Sequence, residues 1–182
     1  MDKLKIVIAG PVGAGKTSFI NAISEVEVVD TDRRATDETA LRKQRTTVAF
    51  DYGKLTVSSG QILYLYGAPG QFRFDFMWDI LIKGVAGYVL LVDANRPQDF
   101  YKARQILNFI KERINTPMIL GLTHMDCEGA WEAEEMALAL GLIDKEARPP
   151  IVTVNALEAK SVARCLIALL EHLIEKTVLN KG

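Results

Sequence analysis

Apolar and polar positions along the chain fall into blocks whose period switches between that of a strand and that of a helix. LKIVIA (4–9) is a short, apolar, β-branched run that stops at Gly10, which predicts a buried strand. SFINAISEV (18–26) then sets Phe19, Ile20 and Ile23 at helical spacing. GYVLLVDA (87–94), PMILGLTH (117–124) and PIVTVNA (150–156) predict further strands. Between and after them come three helical patterns: 97–115 with Pro97 at its start, the Ala- and Glu-rich 131–140, and 158–179 with apolar residues at i, i+3 and i+4. TTVAFDYGKLTVS (46–58) and QILYLYG (61–67) predict two strands joined through a Ser59-Gly60 turn. Residues 27–46 keep no period and are rich in charge and threonine; an irregular stretch near 20 residues is normally functional or mobile.

Strands alternating with helices predict an α/β fold: a six-stranded, mostly parallel sheet with helices on both faces. The hairpin over 47–67 adds one antiparallel edge strand. At 182 residues the chain fits a single domain over 1–182.

Composition narrows the function. With 49% hydrophobic and 25% charged residues and a net charge of −1, nothing favours nucleic acid or an anionic membrane surface. Cys127 and Cys165 lack metal-ligand spacing. The N-terminal run is too short for a signal peptide, and no run approaches the roughly 18 apolar residues of a membrane span. Asp2 excludes N-myristoylation and the NKG end is no prenylation box. A cytoplasmic protein with no transmembrane segment is expected.

The chemistry begins at GPVGAGKT (10–17), which fits G-x-x-x-x-G-K-[ST]. Gly10, Gly13 and Gly15 allow the backbone to turn its N–H groups inward as an anion nest at a helix N-terminus. Lys16 can reach β- and γ-phosphates, and the Thr17 hydroxyl can ligate Mg2+. The motif also sits between a predicted strand and a predicted helix, its confirming context. A nucleoside triphosphate site follows.

Later signals choose among nucleotide sites. Thr47 opens the second strand at the end of the irregular stretch, where a hydroxyl can meet Mg2+ when a γ-phosphate draws the loop in. The third strand delivers Gly70 and Gln71 toward the same phosphate. The fifth ends in THMD (123–126), where Asp126 can accept from guanine N1–H and the N2 amino group. Adenine would leave that carboxylate unpaired. The sixth ends in VNA (154–156), whose Ala156 N–H can meet guanine O6.

In this order the motifs resemble those of the Ras-like small GTPases. They are most similar to the bacterial gliding-motility GTPases and to the Arf and signal recognition particle receptor β-subunit branch. The resemblance spans about residues 4–175 and implies a P-loop NTPase G domain. TTVAFDYG resembles switch I, selecting Thr47 over Thr46; GAPGQ resembles the switch II motif D-x-x-G-Q; THMD resembles N-K-x-D; VNA resembles the S-A base loop. Carried over by position, the nucleotide-binding set is Gly10, Val12, Gly13, Ala14, Gly15, Lys16, Thr17, Ser18, Thr47, Gly70, Thr123, His124, Asp126, Asn155, Ala156 and Leu157, with Thr17 and Thr47 on the metal. Gly67 stands where the family has the acid that holds a magnesium-bound water, a change also found in the gliding-motility relatives. Thr123 and His124 replace Asn and Lys, and Asn155 replaces Ser. Looser nucleotide binding is expected, although His124 can stack on base or sugar.

Two residues are catalytic candidates. Gln71 can orient the attacking water. Arg45 can act as an internal arginine finger, with a solvated basic loop alongside Arg42 and Lys43 as the equal alternative; Arg73 is a weaker choice. Phe72, Phe74, Phe76 and Trp78 are either an effector patch or packing under switch II. Asp93 ends a strand away from the metal and is expected to be structural. Asp51 is a candidate for the missing acid, but lies beyond Thr47 on its strand, which argues against it. The expected function is a Mg2+-dependent GTP/GDP switch with slow intrinsic hydrolysis. The resemblance implies an effector and a GTPase-activating protein, a small roadblock-type protein being a candidate. The alternatives are a pseudo-GTPase that binds without hydrolysis and a P-loop ATPase or kinase.

Overall fold

The apolar runs pair as strands of one sheet. In the computed structural model, which describes residues 3–28, 51–57, 60–71 and 75–179, these are β1 (Lys3–Ala9), β2 (Asp51–Thr56), β3 (Ile62–Gly67), β4 (Gly87–Asp93), β5 (Met118–Thr123) and β6 (Ile151–Thr153). Their order is β2-β3-β1-β4-β5-β6. The β2–β3 pair is antiparallel and the others are parallel. The helices are α1 (Lys16–Ile23), α2 (Asp75–Ile82), α3 (Phe100–Arg113), α4 (Ala133–Ala139) and α5 (Ala159–Leu179).

Alternation along β1 divides the core. Ile6 and Ile8 point to one layer, shared with Phe19 and Ile20 of α1 and Val162, Leu166 and Leu169 of α5. Val7 and Ala9 point to the other, shared with Trp78 of α2, Ile106 and Ile110 of α3 and Met136 of α4. Helices therefore cover both faces, and central β4 is buried along its whole length, as a sheet covered on both sides requires.

Most boundaries agree with the apolar pattern, and three differences have physical causes. The 97–115 helix begins as a 3-10 turn, Pro97–Asp99, because Asp99 N–H donates to Arg96 O, three residues back, at 2.9 Å. The last strand stops at Thr153, since Asn155 turns the chain (below). Helix α2 has no signal in the pattern. DFMWDILI is charged at only Asp75 and Asp79, so no amphipathic period marks it. Its Trp78 is buried and packs edge-on to Phe109, 5.9 Å between centroids, so this aromatic serves packing rather than an exposed patch.

The hairpin loop is a residue longer than a Ser59-Gly60 turn. Val57 and Gln61 close it, with Val57 N–H donating to Gln61 O at 2.9 Å. The register this sets pairs Asp51 with Gly67.

Candidate functional site

The loop after β1 is shaped by contacts no side chain tolerates. A Cβ on Gly10 would lie 2.3 Å from Leu91 O, and the residue's φ of 150° is one that glycine tolerates. Ala14 N–H donates to Pro11 O at 3.2 Å, closing the turn. Gly15 caps α1 in the left-handed region, with no side-chain cap bond and no acid in the first turn. The first N–H groups of α1 are thus left to an anion. Lys16 Nζ arches back to donate to Gly10 O and Pro11 O, each at 2.8 Å. This cradle fits a phosphate chain: close backbone, helix N-terminus and one ammonium.

Two loops from the far half of the sheet abut the cradle. Thr123, 2% exposed at the end of β5, donates its hydroxyl to Ala14 O at 3.1 Å, with Val92 O at 3.4 Å. A Cβ on Gly15 would lie 3.2 Å from the Ala156 methyl. The loop that carries Asp126 and the loop that carries Ala156 therefore both touch the P-loop. Asp126 itself is exposed.

His124 follows Thr123 in the left-handed region, φ 58°. Its Nδ1 lies 3.1 Å from Asp93 Oδ2, while Asp93 Oδ1 accepts from Asn95 N–H at 2.9 Å. Asp93 is thus structural in a specific sense, since it holds the side chain that follows Thr123. Parallel pairing sets Asp93 beside Thr123, a placement invisible in the linear motif. Asn155 Oδ1 accepts from Leu157 N–H at 3.1 Å, and Asn155 N–H donates to buried Ser161 Oγ at 2.9 Å. Asn155 and Ser161 shape the loop, and Leu157 is exposed. Ser161 carries no motif signal.

On the phosphate side, the segment after β3 crosses the P-loop. A Cβ on Gly70 would sit 2.6 Å from Val12 N, so only glycine permits this approach. Gln71 follows it and is exposed. Thr17 Oγ1 donates to Asp51 Oδ2 at 2.5 Å. Its place on the strand argues against Asp51 as an acid for this site, yet the fold brings its carboxylate to Thr17. Thr47, Arg45, Arg42, Lys43, Phe72, Arg73 and Phe74 lie outside the described residues, as does the side chain of Phe76. Among the described residues no three His, Cys, Asp or Glu side chains converge as a metal cage, and no helix is long and apolar enough to cross a membrane.

These features define an α/β P-loop protein whose nucleotide cradle lies at the C-terminal ends of the strands. A family model described as "Conserved hypothetical ATP binding protein" matches residues 26–176, and the chain belongs to that family. The chain is similar to an uncharacterised protein of Methanocaldococcus jannaschii, at 31% identity over 52% of this chain and 54% of that one. It is similar to intraflagellar transport protein 22 of Chlamydomonas reinhardtii, at 25% over 52% of this chain and 46% of that one. It is also similar to ADP-ribosylation factor-like protein 8b of Arabidopsis thaliana, at 27% over 78% of this chain and 71% of that one. The first two matches span about half the length of each relative. Together they support a nucleotide-binding, small GTPase-like P-loop protein.

Proposed function

We propose that the protein is a cytoplasmic guanine-nucleotide switch. One observation carries the reading: the Thr123 hydroxyl bound to Ala14 O joins the phosphate cradle to the loop bearing Asp126. A single ligand can then engage both, with its phosphates on the P-loop and its base at Asp126. In this reading P-loop N–H groups bind the β- and γ-phosphates, and Lys16 reaches phosphate oxygens from its place over Gly10 and Pro11. Mg2+, held with Thr17 and Thr47, would neutralise developing phosphate charge. Gln71 orients the attacking water, with Arg45 as the candidate finger. Intrinsic hydrolysis is slow, a GTPase-activating partner speeds it, and an effector reads the GTP form; a roadblock-type protein fits the partner role. The Arf-like relative and the glycine at 67 support a place near the Arf and gliding-motility branch.

A second reading, an ATP-binding protein, is favoured by the family's description. The nucleotide released on denaturing the purified protein separates the two. GDP or GTP is expected, and adenine nucleotide alone would refute the guanine reading. Single-turnover hydrolysis with Gln71→Ala tests the chemistry: the substitution should slow turnover by at least about tenfold. Equal inertness of wild type and variant, with candidate partners present, would leave a binding module.

A further inference from the structure

The loop after β6 uses its backbone donors in a way that leaves one over. Val154 N–H donates to Leu122 O at 2.8 Å, across the sheet. Asn155 N–H donates to Ser161 Oγ at 2.9 Å, and Leu157 N–H donates to Asn155 Oδ1 at 3.1 Å. Glu158 N–H donates to Asn155 O at 3.1 Å. Among the described residues, Ala156 N–H alone in this loop has no hydrogen-bond partner. It lies at the nucleotide cradle, since the Ala156 methyl is 3.2 Å from the Cβ that Gly15 would carry. A half-buried N–H is costly to leave unpaired, so a ligand that accepts from it gains.

The direction of this donor is fixed from three sides. Asn155 O and Ala156 N–H belong to one planar trans peptide unit, so the N–H points away from a carbonyl that Glu158 N–H holds. The peptide before it is pinned by Ser161, and the peptide after it by the Asn155 side chain. Ser161 sits in the first turn of α5 and is 5% exposed, so water has little access to replace its oxygen.

We propose that Ser161 is a positioning residue for base recognition: it sets the loop so that Ala156 N–H is the one free donor, and that donor selects an acceptor at the purine 6-position. The inference rests on the guanine-nucleotide reading above and adds to it a residue outside every motif. A 6-oxo group accepts this N–H, whereas the 6-amino group of adenine would set donor against donor. Asp126, in the same reading, accepts from N1–H and the 2-amino group, so ligand chemistry can separate the two contacts.

Affinities for GDP, 6-thio-GDP and inosine diphosphate are measured by calorimetry on wild type, Ser161→Ala and Ser161→Thr. The thio analogue places a weak sulfur acceptor at the 6-position. Inosine diphosphate keeps the 6-oxo group and drops the 2-amino group. Wild type should bind 6-thio-GDP about 2- to 10-fold more weakly than GDP. In Ser161→Ala that ratio should fall toward one, while the inosine-to-guanosine ratio keeps its wild-type value. Ser161→Thr retains the hydroxyl and should keep both ratios, and melts without nucleotide check that each variant folds. A thio ratio unchanged in Ser161→Ala, or already one in wild type, would overturn the proposal and leave the nucleotide reading intact. Equal changes in both ratios, or loss of the thio ratio in Ser161→Thr as well, would do the same, because they mark a loop loosened as a whole. Failure of wild type to bind GDP at all would overturn both.

Discussion

Replacing Thr123 by valine removes one oxygen and keeps the side chain's shape. The change is confined to a bond that links residues 109 apart in sequence, from the end of β5 to the P-loop. A hydroxyl carries one proton, and Ala14 O at 3.1 Å is a better partner than Val92 O at 3.4 Å. Thr123 is 2% exposed, so water has little access to replace it. The lost bond costs about 1 kcal/mol, rising to about 3 kcal/mol if the Ala14 carbonyl is left dry and unpaired. For a chain of this size each kcal/mol lowers Tm by about 2–4 °C, which predicts a drop of about 2–12 °C without nucleotide. If the same energy falls on ordering the P-loop, GDP affinity weakens by about 5- to 150-fold. Calorimetric melts and a GDP titration on wild type and Thr123→Val measure both. A variant with unchanged Tm and unchanged GDP affinity would show that the hydroxyl does not tether the P-loop. It would also remove the observation on which the single-ligand reading rests.

Asp126→Asn should shift preference from GTP toward xanthosine triphosphate, because the exchanged group complements the 2-oxo base; competition binding measures it, and unchanged GTP affinity would mean that Asp126 does not read the base. A third prediction concerns acid stability. Burial acts to raise the Asp99 pKa, but hydrogen bonds from Arg96 and Lys102, and their charges, outweigh it and hold the carboxyl below its usual 3.8. A depressed folded-state pKa contributes stability that is present above the unfolded-state value and is lost as pH falls through the folded one. Asp99→Asn should therefore flatten the acid limb of the stability curve below about pH 4. Urea unfolding across that range checks this, and parallel acid limbs would contradict it.

The nucleotide cradle was legible in one dimension because it is contiguous. GPVGAGKT runs from the end of β1 into the first two residues of α1, and steric demands on Gly10 and the capping role of Gly15 act within the same short segment. The buried strands were legible for a related reason: a strand covered on both faces must be apolar along its length, as β4 is. Helix α2 was not, because a helix with two charged positions in eight has no polar face to mark its period.

The remainder of the site depends on pairings between distant segments, and there small changes of register matter. A two-residue Ser59-Gly60 turn would set Asp51 opposite Ala68 and turn its side chain to the other face, since side chains alternate with period two. The observed loop, closed by Val57 and Gln61, sets it opposite Gly67 with its carboxylate on Thr17. Parallel pairing of β4 with β5 likewise supplies His124 with Asp93. Local chemistry therefore specified a phosphate cradle and the strand and helix that flank it. The partners of Thr17, Thr123 and His124 came from sheet register, which hairpin length and crossover packing set together, and which no single segment encodes.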